Sequence, residues 1–371
     1  GMNFRNLEDN GFLKFDFLGL TLLKDVENCI YRILKKQGNP NPTFLEAKAF
    51  FDKHLNCRFH EQDDPDVWKH VYHEGHFAGV FQFTNQGARQ FSLEAQPENI
   101  EELAALTAIY RPGPLKANVH KKYVKAKQNA DQIKYDHPII KEILGPTFGF
   151  VTFQEQFMLL AQKLAGFNPG ESDKLRKTLV KKSLDTLASK GSEKAVAREK
   201  FIKGSKELND VPESVSSKLW ADIEFFSVYG FNKSHAVAYA IDSYYAAWLH
   251  THYETEWLAT ILQSENGNPK GMSKAISEIK SFGYEIAAID INHSGTEWEY
   301  SQALQAFVPP LTSLKGVGDK AVEEVFANRP YKNLNNLFYD AEGAWKHSKL
   351  NKTAFSSLTK MEEIKTLDEF K

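Results

Sequence analysis

Lys14-Phe15-Asp16-Phe17-Leu18-Gly19 places a cation and a carboxylate two residues apart in an otherwise apolar run. Strand side chains alternate between faces, so Lys14 and Asp16 share one face with Phe12 and Leu18, while Leu13, Phe15 and Phe17 take the other. A lysine and an aspartate on such a face either pair with each other or address a polar site. The second chemical signal is local charge. Eleven basic residues fall between Lys174 and Lys206, against Asp185, Glu193 and Glu199, so this stretch carries +8 in a chain of net charge −2. Lys174, Lys177 and Lys181 fall on one helical stripe beside an apolar stripe of Leu175 and Leu179. A second basic cluster runs through Lys116, Lys121, Lys122, Lys125 and Lys127. One such run is ordinarily a solvated face; two in a near-neutral chain favour a polyanion-binding surface.

Two shorter patterns add to this. Leu314-Lys315-Gly316-Val317-Gly318-Asp319-Lys320 reads as a tight hairpin before a helix, with Asp319 as its cap. Exposed amides at such a turn suit one phosphate of duplex DNA without reading its sequence, and the bland alternative is an ordinary pair of helices. Tyr229-Gly230-Phe231-Asn232-Lys233-Ser234-His235-Ala236 offers polar and aromatic groups suited to a triphosphate or sugar, or simply a helix start capped by Asn232 or Ser234. The triplets His54, Cys57, His60 and His70, His73, His76 have metal-like spacing. Three-residue spacing recurs by chance among 12 histidines, and Asp63-Asp64-Pro65-Asp66 reads as a surface turn, so bound zinc is not expected there. No nucleophile elbow, P-loop or dinucleotide fingerprint is present, and Gly145-Pro146-Thr147-Phe148-Gly149 matches neither phosphate loop.

The elements that must position these groups read as mainly helical. The opening, residues 11–19, reads as a strand, and helical spacing runs from Leu20 to Leu34 until Gly38-Asn39-Pro40 stops it. Residues 43 to 265 are mostly helical. One helix is expected from Pro97 to Tyr110, stopped by Arg111-Pro112-Gly113-Pro114, and another after Asn168-Pro169-Gly170-Glu171 with Asn168 as cap. Residues 185–215 read as a loop or an exposed helix, Ala287–Ile291 as a strand, and 311–371 as short helices. With 42% hydrophobic and 25% charged residues among 371, the composition is that of a folded chain able to bury a substantial core. Cys29 and Cys57 are too few for a disulfide framework or a cysteine-rich zinc module, and a reducing compartment is expected. No apolar run approaches the ~18 residues of a membrane span. The polar, acidic start is no signal peptide, and Gly1 before Met2 reads as a cloning scar.

Several motifs, in order along the chain, resemble those of the bacterial C-family replicative DNA polymerases, the alpha subunits of DNA polymerase III. They are Lys14-Phe15-Asp16-Phe17-Leu18-Gly19-Leu20; Gly79-Val80-Phe81-Gln82-Phe83 with Gly87 and Arg89; Tyr110-Arg111-Pro112-Gly113-Pro114; Gln154-Glu155-Gln156; Asp173-Lys174-Leu175-Arg176-Lys177 with Lys181-Lys182; Gly230–Ala236; and Lys315-Gly316-Val317-Gly318. The ordered set is far more specific than any one member.

The resemblance implies a mainly α chain with minor β: a palm-derived strand and the following helix over 1–26, helical fingers over 27–290, and a helix-hairpin-helix duplex-binding region over 291–371. Asp16 would be one of three palm carboxylates holding two Mg²⁺ ions, with Lys14 beside the triphosphate. Arg176, Lys177, Asn232, Lys233 and His235 would line the nucleotide pocket, and Lys181, Lys182, Lys315, Gly316 and Gly318 would meet DNA. The implied partners are a primer-template, a dNTP and an upstream polymerase half carrying the other palm aspartates, with any sliding-clamp contact made through another subunit and no membrane. The implied location is cytoplasmic, at the bacterial nucleoid or in a phage-infected cell.

The chain departs from the family pattern at Leu179-Val180, which stands where a Met-Gly pair is usual. No paired aspartates precede Asp16, which reads as an expression fragment or as a split gene, Met2 favouring the latter. Two functions follow. The favoured one is the fingers half of a DNA-directed DNA polymerase, catalytic only with the missing palm half. The alternative is a non-catalytic DNA-binding accessory derived from such a polymerase. Survival of Asp16 with Arg176, Lys177 and His235 favours the first.

Overall fold

The computed structural model describes residues 7, 10–12, 19–180, 193–227 and 229–360. The strand expected to carry Lys14 and Asp16 lies outside these residues, as do Lys181 and Lys182. The fold is mainly helical with one small sheet, as the sequence indicates.

Helix α1 (Thr21–Lys36) buries Leu22, Val26, Cys29, Ile30 and Ile33 on one face, an i, i+4, i+7 pattern of apolar positions. It runs unbroken across residue 26. Next come α2 (Phe44–His54), started by a Thr43/Glu46 capping box, and a one-turn helix, Pro65–Val67, that passes into a π-helix over Trp68–His73. Helices α3 (Gln86–Ala95) and α4 (Ile100–Ile109) follow. The expected start of α4 at Pro97 is corrected: Asn99 is the cap, its side chain accepting from the Glu102 amide, and Pro97 stays outside the helix. Arg111 ends the run, but Pro112–Lys116 then forms its own short turn of helix, since proline is well suited to a first helical position. Helix α5 (Val119–Gln128) completes this half.

A second layer is formed by α6 (Pro138–Leu144), α7 (Gln154–Ala165), α8 (Pro169–Val180), α9 (Glu193–Asn209) and α10 (Glu213–Ser227). The Asn168 cap reads correctly from sequence: Asn168 Oδ1 accepts from the Glu171 amide and Glu171 Oε2 from the Asn168 amide, both at 2.9 Å. The backbone is helical through Val180, so the helix forms without the family's usual glycine there.

The long α11 (Lys233–His252) then returns to the first half and packs on α4, followed by α12 (Glu254–Ser264) and α13 (Pro269–Ser281). The sheet has β1 (Glu285–Ile286) parallel to β3 (Ala306–Val308) and β2 (Glu299–Ser301) antiparallel to it, in the order β1-β3-β2. The strand expected over Ala287–Ile291 is therefore displaced toward the N-terminus. At Asp290 the side chain instead accepts from the Asn292 and His293 amides and turns the chain. Short helices α14 (Asp319–Ala327), α15 (Leu334–Phe338) and α16 (Lys352–Leu358) close the described chain.

Three apolar cores underlie these layers. The first joins α1–α5 with α11–α13 and includes Phe307 of the sheet. The second lies among α6–α10, around Phe157, Leu160, Phe201 and Trp220. The third begins at Ile291 and contains Val317, Val322, Leu337 and Leu358. Among the described residues no helix is long and apolar enough to cross a membrane.

Candidate functional site

Three motifs distant in sequence meet at the N-terminus of α11. Phe153 and Phe231 form a parallel bridge, with the Phe231 amide donating to the Thr152 carbonyl (3.3 Å) and the Gln154 amide to the Phe231 carbonyl (2.9 Å). Each residue of Gln154-Glu155-Gln156 then has a separate task. The Gln154 side chain donates to the Gly230 carbonyl at 3.1 Å. Glu155 accepts from the Lys233 amide at 2.9 Å and from Asn232 Nδ2 at 3.1 Å. Gln156 is buried and fully used: its Oε1 accepts from the Thr152 and Phe153 amides, and its Nε2 donates to the Ile143 carbonyl and Thr147 Oγ1.

Arg111 supplies the third side. Its Nη2 donates to the Tyr229 carbonyl, its Nε donates to the Ala108 carbonyl at 2.7 Å, and its guanidinium lies 4.5 Å from the centre of the Phe231 ring. This is within cation–π range, and the planar fork of guanidinium lets one side chain meet the ring and two carbonyls together. Gly113 permits this approach, since a Cβ there would fall 2.5 Å from the Tyr229 ring.

On this frame Asn232 caps α11, accepting from the His235 amide at 2.8 Å and from Ser234 Oγ at 2.7 Å. Lys233 forms an ion pair with Glu101, and both groups are about two-fifths exposed, so the pair is open to exchange with a solvent anion. The exposed His235 ring packs on Tyr239 at 4.1 Å and on Phe231 at 5.4 Å. The site is an exposed helix N-terminus with one amide cap, one lysine and one imidazole. Such a terminus favours anions through its amides and its dipole.

Arg176 and Lys177 are on α8, in the second layer, and their polar partner is Asp173 rather than the 230–235 turn. Arg176 Nη2 lies 2.8 Å from Asp173 Oδ1 and Lys177 Nζ 2.8 Å from Oδ2. The lysine first and the arginine second hold the Asp173 carboxyl below its ordinary value. The +8 stretch is also less bare than its sequence implies. Lys174 pairs with Glu193, Lys194 with Glu224, Lys200 with Glu171 and Lys203 with Glu207, several of these acids lying outside the counted window. Lys127 is committed to Glu102.

The 314–320 hairpin forms as expected, with one correction. The cap of α14 is Gly318, extended at φ −97° and ψ 173°, and Asp319 is the first helical residue with no capping bond. Val317 is buried in the third core, and Ser357 Oγ donates to the Lys315 carbonyl at 2.6 Å, so α16 backs the turn. The two glycines differ. Gly316 has φ +83°, and a Cβ there would fall 2.6 Å from Thr353 Cγ2; at Gly318 a Cβ would meet nothing within 4 Å. Gly316 therefore shapes the turn, while Gly318 leaves its outer side open.

Helical layers that present an anion-suited helix start are thus followed by a set of short helices around the 314–318 turn, with a core of its own. Residues 42–209 match the family model described as bacterial DNA polymerase III alpha subunit finger domain, and residues 283–370 match the helix-hairpin-helix motif. The chain is 35% identical over 357 residues to the DNA polymerase III subunit alpha of Aquifex aeolicus, covering 95% of this chain and 28% of that protein. It is 33% identical over 340 residues to the namesake in Chlamydia trachomatis, covering 91% and 25%, and 32% identical over 367 residues to that of Borreliella burgdorferi, covering 98% and 29%. The chain belongs to the bacterial DNA polymerase III alpha subunit family and spans under a third of the length of these relatives.

Sequence reasoning missed Glu101 and Asp173 as the acids that hold the expected cations, and Glu155 as the acid that accepts from the Asn232 side chain and the Lys233 amide. Spacing gave a signal only for Asp173, which lies three and four residues before its partners.

Proposed function

We propose that this chain is the fingers part of a replicative DNA-directed DNA polymerase, binding incoming dNTP and primer-template DNA. Its division into a palm-derived start (1–26), fingers (27–290) and a duplex-binding region (291–371) belongs to the same reading, and the third core starting at Ile291 supports the last boundary. The observation that carries the proposal is the convergence of residues 111–113, 152–156 and 229–235 on one exposed helix start, the first two of these segments lying inside the finger-domain match over 42–209.

In this reading Asn232, Lys233 and His235 meet the nucleotide, Lys233 exchanging Glu101 for phosphate. Arg176 and Lys177 approach the same triphosphate from α8 as they leave Asp173; arginine suits bidentate phosphate contact. Lys181, Lys182, Lys315, Gly316 and Gly318 meet DNA phosphates.

Among the described residues, Glu101, Glu155 and Asp173 are engaged with Lys233, Asn232, Arg176 and Lys177. Two Mg²⁺ ions would be held by Asp16 and palm carboxylates outside this sequence, and would supply charge stabilisation at the transferred phosphate. Lys14 would sit beside the triphosphate.

The test is Arg176→Ala in enzyme reconstituted with a palm-containing half. The expected result is a dNTP requirement raised about tenfold or more with lower turnover and nearly unchanged primer-template affinity. A defect confined to DNA affinity would overturn the nucleotide assignment.

A further inference from the structure

Far from the α11 N-terminus, the other end of that helix closes a cluster of imidazoles. His250, in the last turn of α11, is completely buried, and neither Nδ1 nor Nε2 has a hydrogen-bond partner. Buried polar atoms are nearly always bonded, so two bare nitrogens on one ring require an explanation.

Three further groups surround it. Glu254, four residues on at the start of α12, brings Oε1 to 3.9 Å from His250 Nδ1, 3.8 Å from His70 Nε2 and 3.8 Å from His76 Nδ1. His70 Nε2 and His76 Nδ1 are themselves buried and without hydrogen bonds. Three of the nitrogens lacking partners thus face a single carboxylate oxygen.

The backbone delivers these side chains deliberately. His70 lies in the π-helix 68–73, a distortion often found where a side chain must be re-aimed. Gly75 then turns the chain at φ +98°, and His76 stacks back on His70 with ring centres 4.0 Å apart. The His70 and His76 rings stand 5.4 and 6.0 Å from His250. Tyr284 donates to Glu254 Oε2 at 2.8 Å, which leaves Oε1 for the imidazoles. A hydrogen bond to the remote atom of a ligand is the usual outer support of a metal centre.

The geometry points to a divalent transition-metal site, of zinc type, made by His70, His250 and Glu254 with His76 as the fourth ligand. Imidazole and carboxylate donors suit Zn²⁺, and four protein ligands make a closed, structural site rather than a catalytic one. It would clamp the 70–76 segment to the α11–α12 junction, independently of any nucleotide role at the other end of α11. Of the six residues with metal-like spacing, two take part, His70 and His76: His73 instead bonds the Pro97 carbonyl at 2.9 Å, and His60 the Asp52 carbonyl at 3.0 Å.

The untagged full chain, dialysed against zinc chloride and then metal-free buffer, should retain about one zinc per chain by elemental analysis. Co²⁺ substituted for it should give the visible absorption of a tetrahedral site. Chelation should lower the thermal midpoint, and added zinc should restore it. Glu254→Gln, His76→Asn and His250→Ala should each lower zinc affinity by about tenfold or more, and His73→Ala should not. Since His250→Ala removes a buried side chain, the partly exposed Glu254 and His76 variants keep the test valid if it misfolds. Zinc retention below about a tenth per chain with an unmoved thermal midpoint would overturn the proposal. Glu74 Oε2 lies 4.0 Å from the other ring nitrogen of His70, Nδ1, so zinc retained by Glu254→Gln and His250→Ala but lost from Glu74→Gln would also overturn it.

Discussion

At the residue scale, Gly316 and Gly318 show how two identical side chains in one motif can serve different ends. Gly316 occupies the left-handed region at φ +83° with Thr353 pressed against its α-carbon. Valine there meets both a backbone penalty and a steric clash, so Gly316→Val should destabilise the chain by about 2–4 kcal/mol. Gly318 is extended and open, and Gly318→Ala should stay within about 0.5 kcal/mol of wild type. Replacing both glycines would therefore mix an effect on the fold with any effect on DNA binding, and only Gly318 can be changed to separate the two. Thermal melts of the two variants, run beside duplex titrations, separate the effects. Gly318→Ala should melt like wild type yet bind duplex more weakly at every salt concentration, with little sequence preference. An unchanged Gly318→Ala affinity would mean that the phosphate approaches elsewhere. Asp173 makes a similar point: one carboxylate fixes both Arg176 and Lys177.

Elements are where sequence and structure part company, and the division follows sequence distance. The Asn168 and Asn232 caps, the 314–320 turn and the α1 stripe are local patterns, each decided by residues within a turn or two, and each was legible. The start of α4 was misplaced because proline at a first turn and asparagine at a cap are competing local signals, and the Asn99 side chain won. The grip of Glu155 on the α11 start and the meeting of His70 with His250 depend on contacts 78 and more residues apart, on which no local periodicity reports. Packing between elements also carries a pH signature. On α1, burial first, and Glu265 of the α12 C-cap more weakly, push the Asp25 carboxyl up to about 6, against a hydrogen bond with Ser264 that lowers it. Between its unfolded value of 3.8 and about 6, the folded chain holds a proton that the unfolded chain has released. Stability from this group therefore falls as pH rises through that window and stays reduced above it. Asp25→Asn should accordingly raise the thermal midpoint at pH 8, by about 1 kcal/mol once partial exposure is discounted, and change little near pH 3.5. A variant less stable than wild type at pH 8 would show that the Ser264 bond outweighs burial.

Across the whole molecule, the three cores give the proposed polymerase role a mechanical form. The first core ties α1 to α11 and α12, so whatever lies against α1 is coupled to the helix whose start is proposed to meet nucleotide. The second core carries Arg176 and Lys177 as a separate layer, joined to that helix start through α7 and the Phe153–Phe231 bridge. Movement of this layer toward α11 would bring α8 cations to the same ligand without unfolding either core. Chemistry at that ligand then depends on carboxylates, and a ligand count decides where they come from. In-line displacement at two magnesium ions about 4 Å apart needs several carboxylates, and the proposed reading assigns Asp16 as the palm ligand within this sequence. The 371 residues should therefore give no detectable primer extension by themselves. Adding a palm-containing half with magnesium should restore it, and Asp16→Asn should lower it by about a thousandfold or more while the two halves still co-elute. Extension by the rigorously purified chain alone would show that the metal ligands are already present and that the division of labour is wrong. Full activity of the Asp16→Asn complex would remove Asp16 from the reaction and leave the accessory reading, DNA grip without chemistry, as the account of this chain.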